Sequence, residues 1–439
     1  MQGVTTLQIF CEQAWRDAAS LRVADIQGGV ATPMEVSYEL DYALAFAGCT
    51  DSAALSYTQP VTLEAYRHGV WPAYLVDCLP QGFGRLELLR QLGLPERSEA
   101  LADWALLVHG AGNPIGNMRV KEAFAYLQTR AGAQSMSHEG FSFDEVAQRG
   151  EAFTEYLASH GLFVAGSSGV QGEWPKILLT EDAHGRLHLD HDLPDSEARR
   201  HWLVKFARGQ DKALEKILRL EPAWMTLAKH LGLHTQGIVH LHGRALFVER
   251  FDRQAVVDQR GAVQVLRHSQ ESLYALCGVG GFAGKLSHNE AVTQLAKAAV
   301  DPLETVIEYL RRDVANLALG NKDNHGRNTA VSRLAKSVVL TPVFDFCPMY
   351  LHPDGIARRM RWMDAMGYPD SASPDWAWVC ERAAQAARAS PEQIRDALKA
   401  TAEQVATLPR EMKALDVDPD VIAFLKPAIE QQAIALSRL

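Results

Sequence analysis

Three features of the sequence predict an α+β fold. Short runs of apolar and β-branched residues, set apart by glycine-rich turns, crowd the segment from 161 to about 257. From about residue 262 apolar residues recur at helical spacing behind proline-marked helix starts. A polar loop, Gly320 to Asn328, stands between an apolar helical run and two short strand-forming runs. At 439 residues and 48.4 kDa, the chain exceeds what one simple core organises. Two or three subdomains are expected.

Composition narrows the function. Hydrophobic residues at 47% and charged residues at 22% are those of an ordinary soluble globular protein. A net charge of −9 argues against direct nonspecific nucleic-acid binding, which rests on clustered positive charge. Cys11, Cys49, Cys78, Cys277, Cys347 and Cys380 form no Cys-x-x-Cys pair and read as reduced structural thiols. No apolar run reaches the roughly 18 residues of a membrane span, and no basic leader or signal core opens the chain. A cytoplasmic protein with no membrane partner is expected.

In chain order, Leu7 to Ala18 has a helical pattern, Tyr42–Phe46 and Ala54–Tyr57 read as strands, and Trp71 to Gly82 reads as a short helix stopped by proline and glycine. Gly110 to Gly116 reads as a turn. Gly161–Ala165 and Lys176–Leu179 are strand candidates on either side of a Gly/Ser-rich turn, Gly166 to Gly172, whose N–H groups could face phosphate oxygens. Trp202–Phe206 is a strand carrying Lys205, either a solvent-facing lysine or a point charge for nucleotide phosphates. A helix follows from about Ala213 to Leu231, with a kink or break expected at Glu221-Pro222. Ile238–Leu241 and Ala245–Glu249 form a hairpin, and His234, His240 and His242 around it lack the cysteine or carboxylate spacing of a zinc site. Asp301-Pro302-Leu303-Glu304 caps a helix that leads into the polar loop, and Ser390-Pro391 and Asp418-Pro419 open two more helices. Thr329–Val331 and Ser337–Leu340 form a hairpin that returns the chain to Asp345.

That order brings Asp323, Asn328 and Asp345 together. An Asn/Asp/Gly-rich loop alone is most often a polar turn. With a second aspartate at the end of a strand pair it also has the arrangement of phosphoryl transfer to a hydroxyl. There the first Asp takes the hydroxyl proton, and the Asn and later Asp hold Mg2+ against nucleotide phosphates.

Taken together, these pieces resemble the HipA family, serine/threonine kinase toxins of bacterial toxin–antitoxin systems, and within it most of all the YjjJ-like branch. The resemblance covers most of the chain. It rests on Gly169-Val170-Gln171 with Lys176, on Leu203-Val204-Lys205-Phe206, on Val248-Glu249-Arg250-Phe251-Asp252-Arg253, on Arg267-His268-Ser269-Gln270-Glu271, and on Asp323-Asn324-His325-Gly326-Arg327-Asn328 with Asp345. It implies a HipA-like kinase fold: an N-terminal subdomain (1–155), a β-rich ATP lobe (156–260) and an α-helical catalytic lobe (261–439). It further implies ATP and Mg2+ as cofactors, Asp323 as base, and Asn328 and Asp345 as metal ligands. Gly169, Val170, Gln171, Lys176 and Lys205 would lie along the phosphates, with Glu249 and Phe251 at the adenine and His325 beside the nucleotide. Ser167 or Ser168 is the candidate for autophosphorylation. The sequence departs from the family where Gly172-Glu173-Trp174-Pro175 lengthens the step to Lys176, and where Ser272 replaces a usual acidic residue. The implied partners are a protein substrate, with aminoacyl-tRNA synthetases as the family's known class, and a small DNA-binding antitoxin. Two other readings keep the same core residues: a nucleotide-binding corepressor module, and a lipid or small-molecule kinase.

Overall fold

The computed structural model describes residues 2–94, 99–133, 139–159, 175–207, 211–281 and 284–439. The Gly161–Ala165 strand, the Gly/Ser-rich turn and the residues assigned to it, Ser167, Ser168, Gly169, Val170 and Gln171, lie outside the described residues.

Strands β1 (Gly3–Cys11), β2 (Ala14–Val23), β3 (Met34–Tyr38), β4 (Tyr66–His68) and β5 (Met118–Val120) form an antiparallel sheet in the order β4-β3-β2-β1-β5. The helix expected over Leu7–Ala18 is therefore a hairpin. Cys11 pairs with Ala14 around Glu12 and Gln13, whose φ values of 49° and 61° are those of a two-residue primed turn. Such turns usually announce themselves with Asn-Gly or Asp-Gly, and neither stands here. Tyr42–Phe46, expected as a strand, belongs to the helix Leu40–Ala45, and Tyr42 and Ala43 are buried side by side rather than in alternation. Ala54–Tyr57 is a buried turn with one isolated bridge, Ser56 to Gln59. Its polar groups are met by side chains, as when Tyr38 Oη accepts from Leu55 N at 2.9 Å. In Trp71–Gly82 the helix is Ala73–Val76, and Gly82 opens a further helix, Gly82–Gln91.

Strands β6 (Lys176–Asp182), β7 (Leu187–Leu189), β8 (Ala198–Phe206), β9 (Val239–His242) and β10 (Ala245–Glu249) form a second antiparallel sheet, β7-β6-β8-β10-β9. The helix Lys212–His230 passes Pro222 as one element rather than two pieces. The region after 262 begins with strands, not helices. Arg253–Val257 (β11) pairs with Val263–Arg267 (β12), and Glu271–Ser272 (β13) joins Ala330–Leu334 (β14) and Ser337–Leu340 (β15). Helices follow, and Pro302–Ala318 packs against His288–Ala298, Pro391–Ala414 and Pro419–Ser437. Among the described residues no helix is long and apolar enough to cross a membrane.

One apolar core runs from Leu7 to Leu436 and joins the N-terminal sheet to the helical lobe, while a separate core including Phe141, Trp202 and Phe247 supports the second sheet. Buried Glu271 staples the first pair. It accepts from Ser56 Oγ at 2.5 Å and Tyr57 N at 3.0 Å, and Arg333 Nη1 lies 3.3 Å away. Between the lobes lies a cleft of about 210 Å³.

Candidate active site

The floor of the cleft is set by strand register. Lys176 on β6 and Lys205 on β8 face each other directly across the antiparallel pair. Like charges in that arrangement repel, so carboxylates must intervene. Lys205 Nζ donates to Glu221 at 2.6 and 2.8 Å and to Asp345 Oδ1 at 2.5 Å, while Lys176 Nζ lies 3.8 Å from Asp345 Oδ2. Burial works against the Lys205 ammonium, yet Asp345 and Glu221 outweigh it and hold its pKa above the ordinary lysine value. Burial likewise opposes a charge on Asp345, but the two lysines hold its carboxyl well below the usual carboxylate range. Lys176 is pulled down by its burial.

Asp345 is strained as well as charged. Its φ of 53° is left-handed, rare for a residue other than glycine. The turn drives Phe346 into the core and leaves Phe344 in the cleft, 5.8 Å from Phe251. Asp345 itself stays 27% exposed toward the cleft.

The second loop arrives from the helix Pro302–Ala318, which Asp301 caps by accepting from Glu304 N at 3.0 Å. At Gly320 (φ 67°) the chain turns so tightly against Tyr350 that an added Cβ would sit 2.6 Å from its ring. The loop then closes on itself. Asn328 Nδ2 donates to Asp323 O at 2.5 Å and Asn328 N to His325 O at 2.9 Å. His325 Nδ1 accepts from Arg327 N at 3.2 Å, which leaves the ring proton on Nε2, 3.5 Å from Asp323 Oδ1. Burial lowers the pKa of His325 against the opposing pull of Asp323.

Val248–Arg253, the hinge that carries the chain from β10 into β11, does two jobs. Glu249 and Phe251 border the cleft, and Glu249 Oε2 accepts from Ile238 N at 2.9 Å. Arg250, Asp252 and Arg253 are locked in a buried network. Arg250 grips Asp252 at 2.9 and 2.7 Å and Asp190 at 3.0 Å, Gly116 N donates to Asp252 at 2.8 Å, and Arg253 reaches Gly116 O. The glycine turn 110–116 thus receives an anion, but an internal one.

Lys176, Lys205, Glu249, Phe251, Asp323, His325, Asn328 and Asp345 all line this one cleft. A model of the HipA-like C-terminal domain matches residues 168–408. The chain belongs to the HipA family. Its fold is similar to that of HipA in the Shewanella oneidensis MR-1 toxin–antitoxin complex of HipA, HipB and operator DNA. That match has a TM-score of 0.61 and 18% identity, over 99% of this chain and 97% of that one. A weaker likeness, TM-score 0.34 and 12% identity over 55% of this chain and 85% of the other, is to the Helicobacter pylori proinflammatory kinase CtkA. No curated protein sequence matches.

In this HipA chain one site residue escaped sequence reasoning. Glu221, 3% exposed, was noted only for the proline beside it, yet it is the carboxylate that grips Lys205. The signal was periodicity: Ile217, Leu218, Glu221, Trp224 and Ala228 share the buried face of one helix, so a glutamate stands where an apolar residue belongs. Among the described residues no three of His, Cys, Asp or Glu gather as a metal cluster. Magnesium suits such a place, since it takes one or two protein oxygens and completes its shell with phosphates and water. Asn328 and Asp345 would hold it. With its Nδ2 committed to Asp323 O, the oxygen of the Asn328 amide is left for a cation.

Proposed function

We propose that the chain is an ATP- and Mg2+-dependent serine/threonine protein kinase that acts as the toxin of a type II toxin–antitoxin system, phosphorylating a cellular protein and arresting growth. The observation that carries this reading is the convergence of Asp323, Asn328 and Asp345 with the buried Lys205–Glu221 pair on one cleft. Phosphoryl transfer needs little covalent work from the protein; it needs positioning and neutralised charge. Asp323, with His325 beside it, takes the proton of the incoming hydroxyl. Lys205, held by Glu221, and Lys176 would meet phosphate oxygens, and a cation held by Asn328 and Asp345 would supply positive charge against the transferred group. Leu203, Val248 and Phe251 offer an apolar wall to a purine. Family membership supports the toxin role, and the Shewanella HipA complex with HipB and operator DNA supports a small DNA-binding antitoxin as a second partner. The test is phosphoproteomics after induced expression of the intact chain and its Asp323→Asn form. Serine or threonine sites, of an aminoacyl-tRNA synthetase for example, should gain phosphate only with the former. Equal phosphoproteomes would refute the proposal.

A further inference from the structure

The Asp323–Asn328 loop is held from two bodies. Within the helical lobe, Asn324 Nδ2 donates to Met360 O at 3.3 Å, its Oδ1 accepts from Arg359 N at 3.2 Å, and a Cβ at Gly326 would stand 2.6 Å from the Tyr274 ring. Arg327, the residue before the metal-binding candidate Asn328, is held in the same lobe by the Tyr274 ring, whose centroid lies 5.1 Å from its guanidinium, and by Gly281 O, to which Nη2 donates at 3.1 Å. The hold from the N-terminal subdomain is Asp77, whose Oδ1 accepts from Arg327 Nε at 3.0 Å.

Asp77 has a rigid seat. Its N–H bonds Ala73 O at 2.8 Å to close the helix Ala73–Val76, whose residues are all buried, and Tyr74 Oη donates to Gln59 Oε1 at 3.0 Å. That helix packs on Leu273–Leu276 and on β13, which carries Glu271 and its bonds to Ser56 and Tyr57. The Asp77–Arg327 pair, with side chains 18% and 7% exposed, is therefore largely withdrawn from solvent screening and spans the boundary between subdomain and loop.

We propose that Asp77 is a positioning residue. Through Arg327, the N-terminal subdomain sets the geometry in which Asn328 meets a divalent cation, so a partner that displaces this subdomain alters metal use at the site. This rests on the kinase reading above. An ordinary interface ion pair would add stability and leave metal use alone, which is what the experiment separates.

Calorimetry of ATP binding to the full chain, with and without MgCl2, compares wild type, Asp77→Asn and Asp77→Glu, with melting temperatures recorded alongside. Removing groups that orient metal ligands typically costs roughly ten- to hundredfold in metal affinity. Asp77→Asn should therefore lose about tenfold of the magnesium-dependent gain in ATP affinity, keep its metal-free ATP affinity, and recover most of the loss in Asp77→Glu. A wild-type gain in Asp77→Asn, or an equal loss with and without magnesium, overturns the proposal. A wild-type chain that binds no ATP overturns the kinase reading and this inference together, and shows itself without any variant.

Discussion

The lysine–carboxylate corner and the arginine–aspartate staple beneath the hinge are made of the same chemical pieces but differ in how far their charges are enclosed. In the staple, Arg250 and Asp252 are 2% and 3% exposed and meet through two hydrogen bonds, one to each carboxylate oxygen, with Asp190, Gly116 and Arg253 filling what is left. In the corner, Lys205 and Glu221 are as deeply buried, but their third member, Asp345, opens to the cleft on a strained backbone. A closed network fixes the relation of the hinge to the N-terminal subdomain. One with an open carboxylate can exchange partners with an incoming phosphate and cation. Burial and charge alone do not separate the two networks; an exposed member on a left-handed backbone does.

That contrast can be broken by substitution. Asp345→Asn should lower phosphoryl transfer per folded molecule on the order of a thousandfold, since a charge acting on the transition state is lost, beyond what it costs in stability by leaving Lys176 and Lys205 to repel. Asp252→Asn should do the reverse. Leaving Arg250 and Arg253 without their carboxylate should cost about 3–5 kcal/mol of stability by denaturant unfolding, with transfer per folded molecule nearly intact. Glu221→Gln, which keeps a hydrogen-bonding partner for Lys205, should lower kcat/KM by roughly ten- to hundredfold in a kinase assay.

The smallest effect is a pH dependence. Burial lowers the pKa of His288 below its ordinary 6.5, and His68 and His240 share the direction. The unfolded chain then takes up protons near pH 6.5 that the folded chain refuses. Stability should fall as the pH drops below that value, by at most about 1.4 kcal/mol per pH unit per histidine. Melting temperature should be lower at acid than at neutral pH, and His288→Gln should flatten part of the slope.

Helix starts were the most legible part of the fold, because their chemistry is local. Asp301-Pro302 and Ser390-Pro391 both carry the caps their sequences announce. The N-terminal sheet was hidden because its first turn uses Glu12-Gln13 rather than a glycine pair, and because Leu40 and Leu44, each 63% exposed, give a surface helix an apolar look. At the site, side chains set by spacing within one loop or strand could be found in sequence, as could Asp345 beyond its hairpin. Glu221 reaches Lys205 only through helix-on-sheet packing, and Asp77 reaches Arg327 across 250 positions, so neither pairing has a local signature.

The account stands most directly on transfer of label from γ-labelled ATP to protein by the purified chain, with magnesium present or chelated and with Asp323→Asn in parallel. It predicts magnesium-dependent label on serine or threonine for the wild type and almost none for the variant. Equal labelling by both, or labelling indifferent to magnesium, would contradict it.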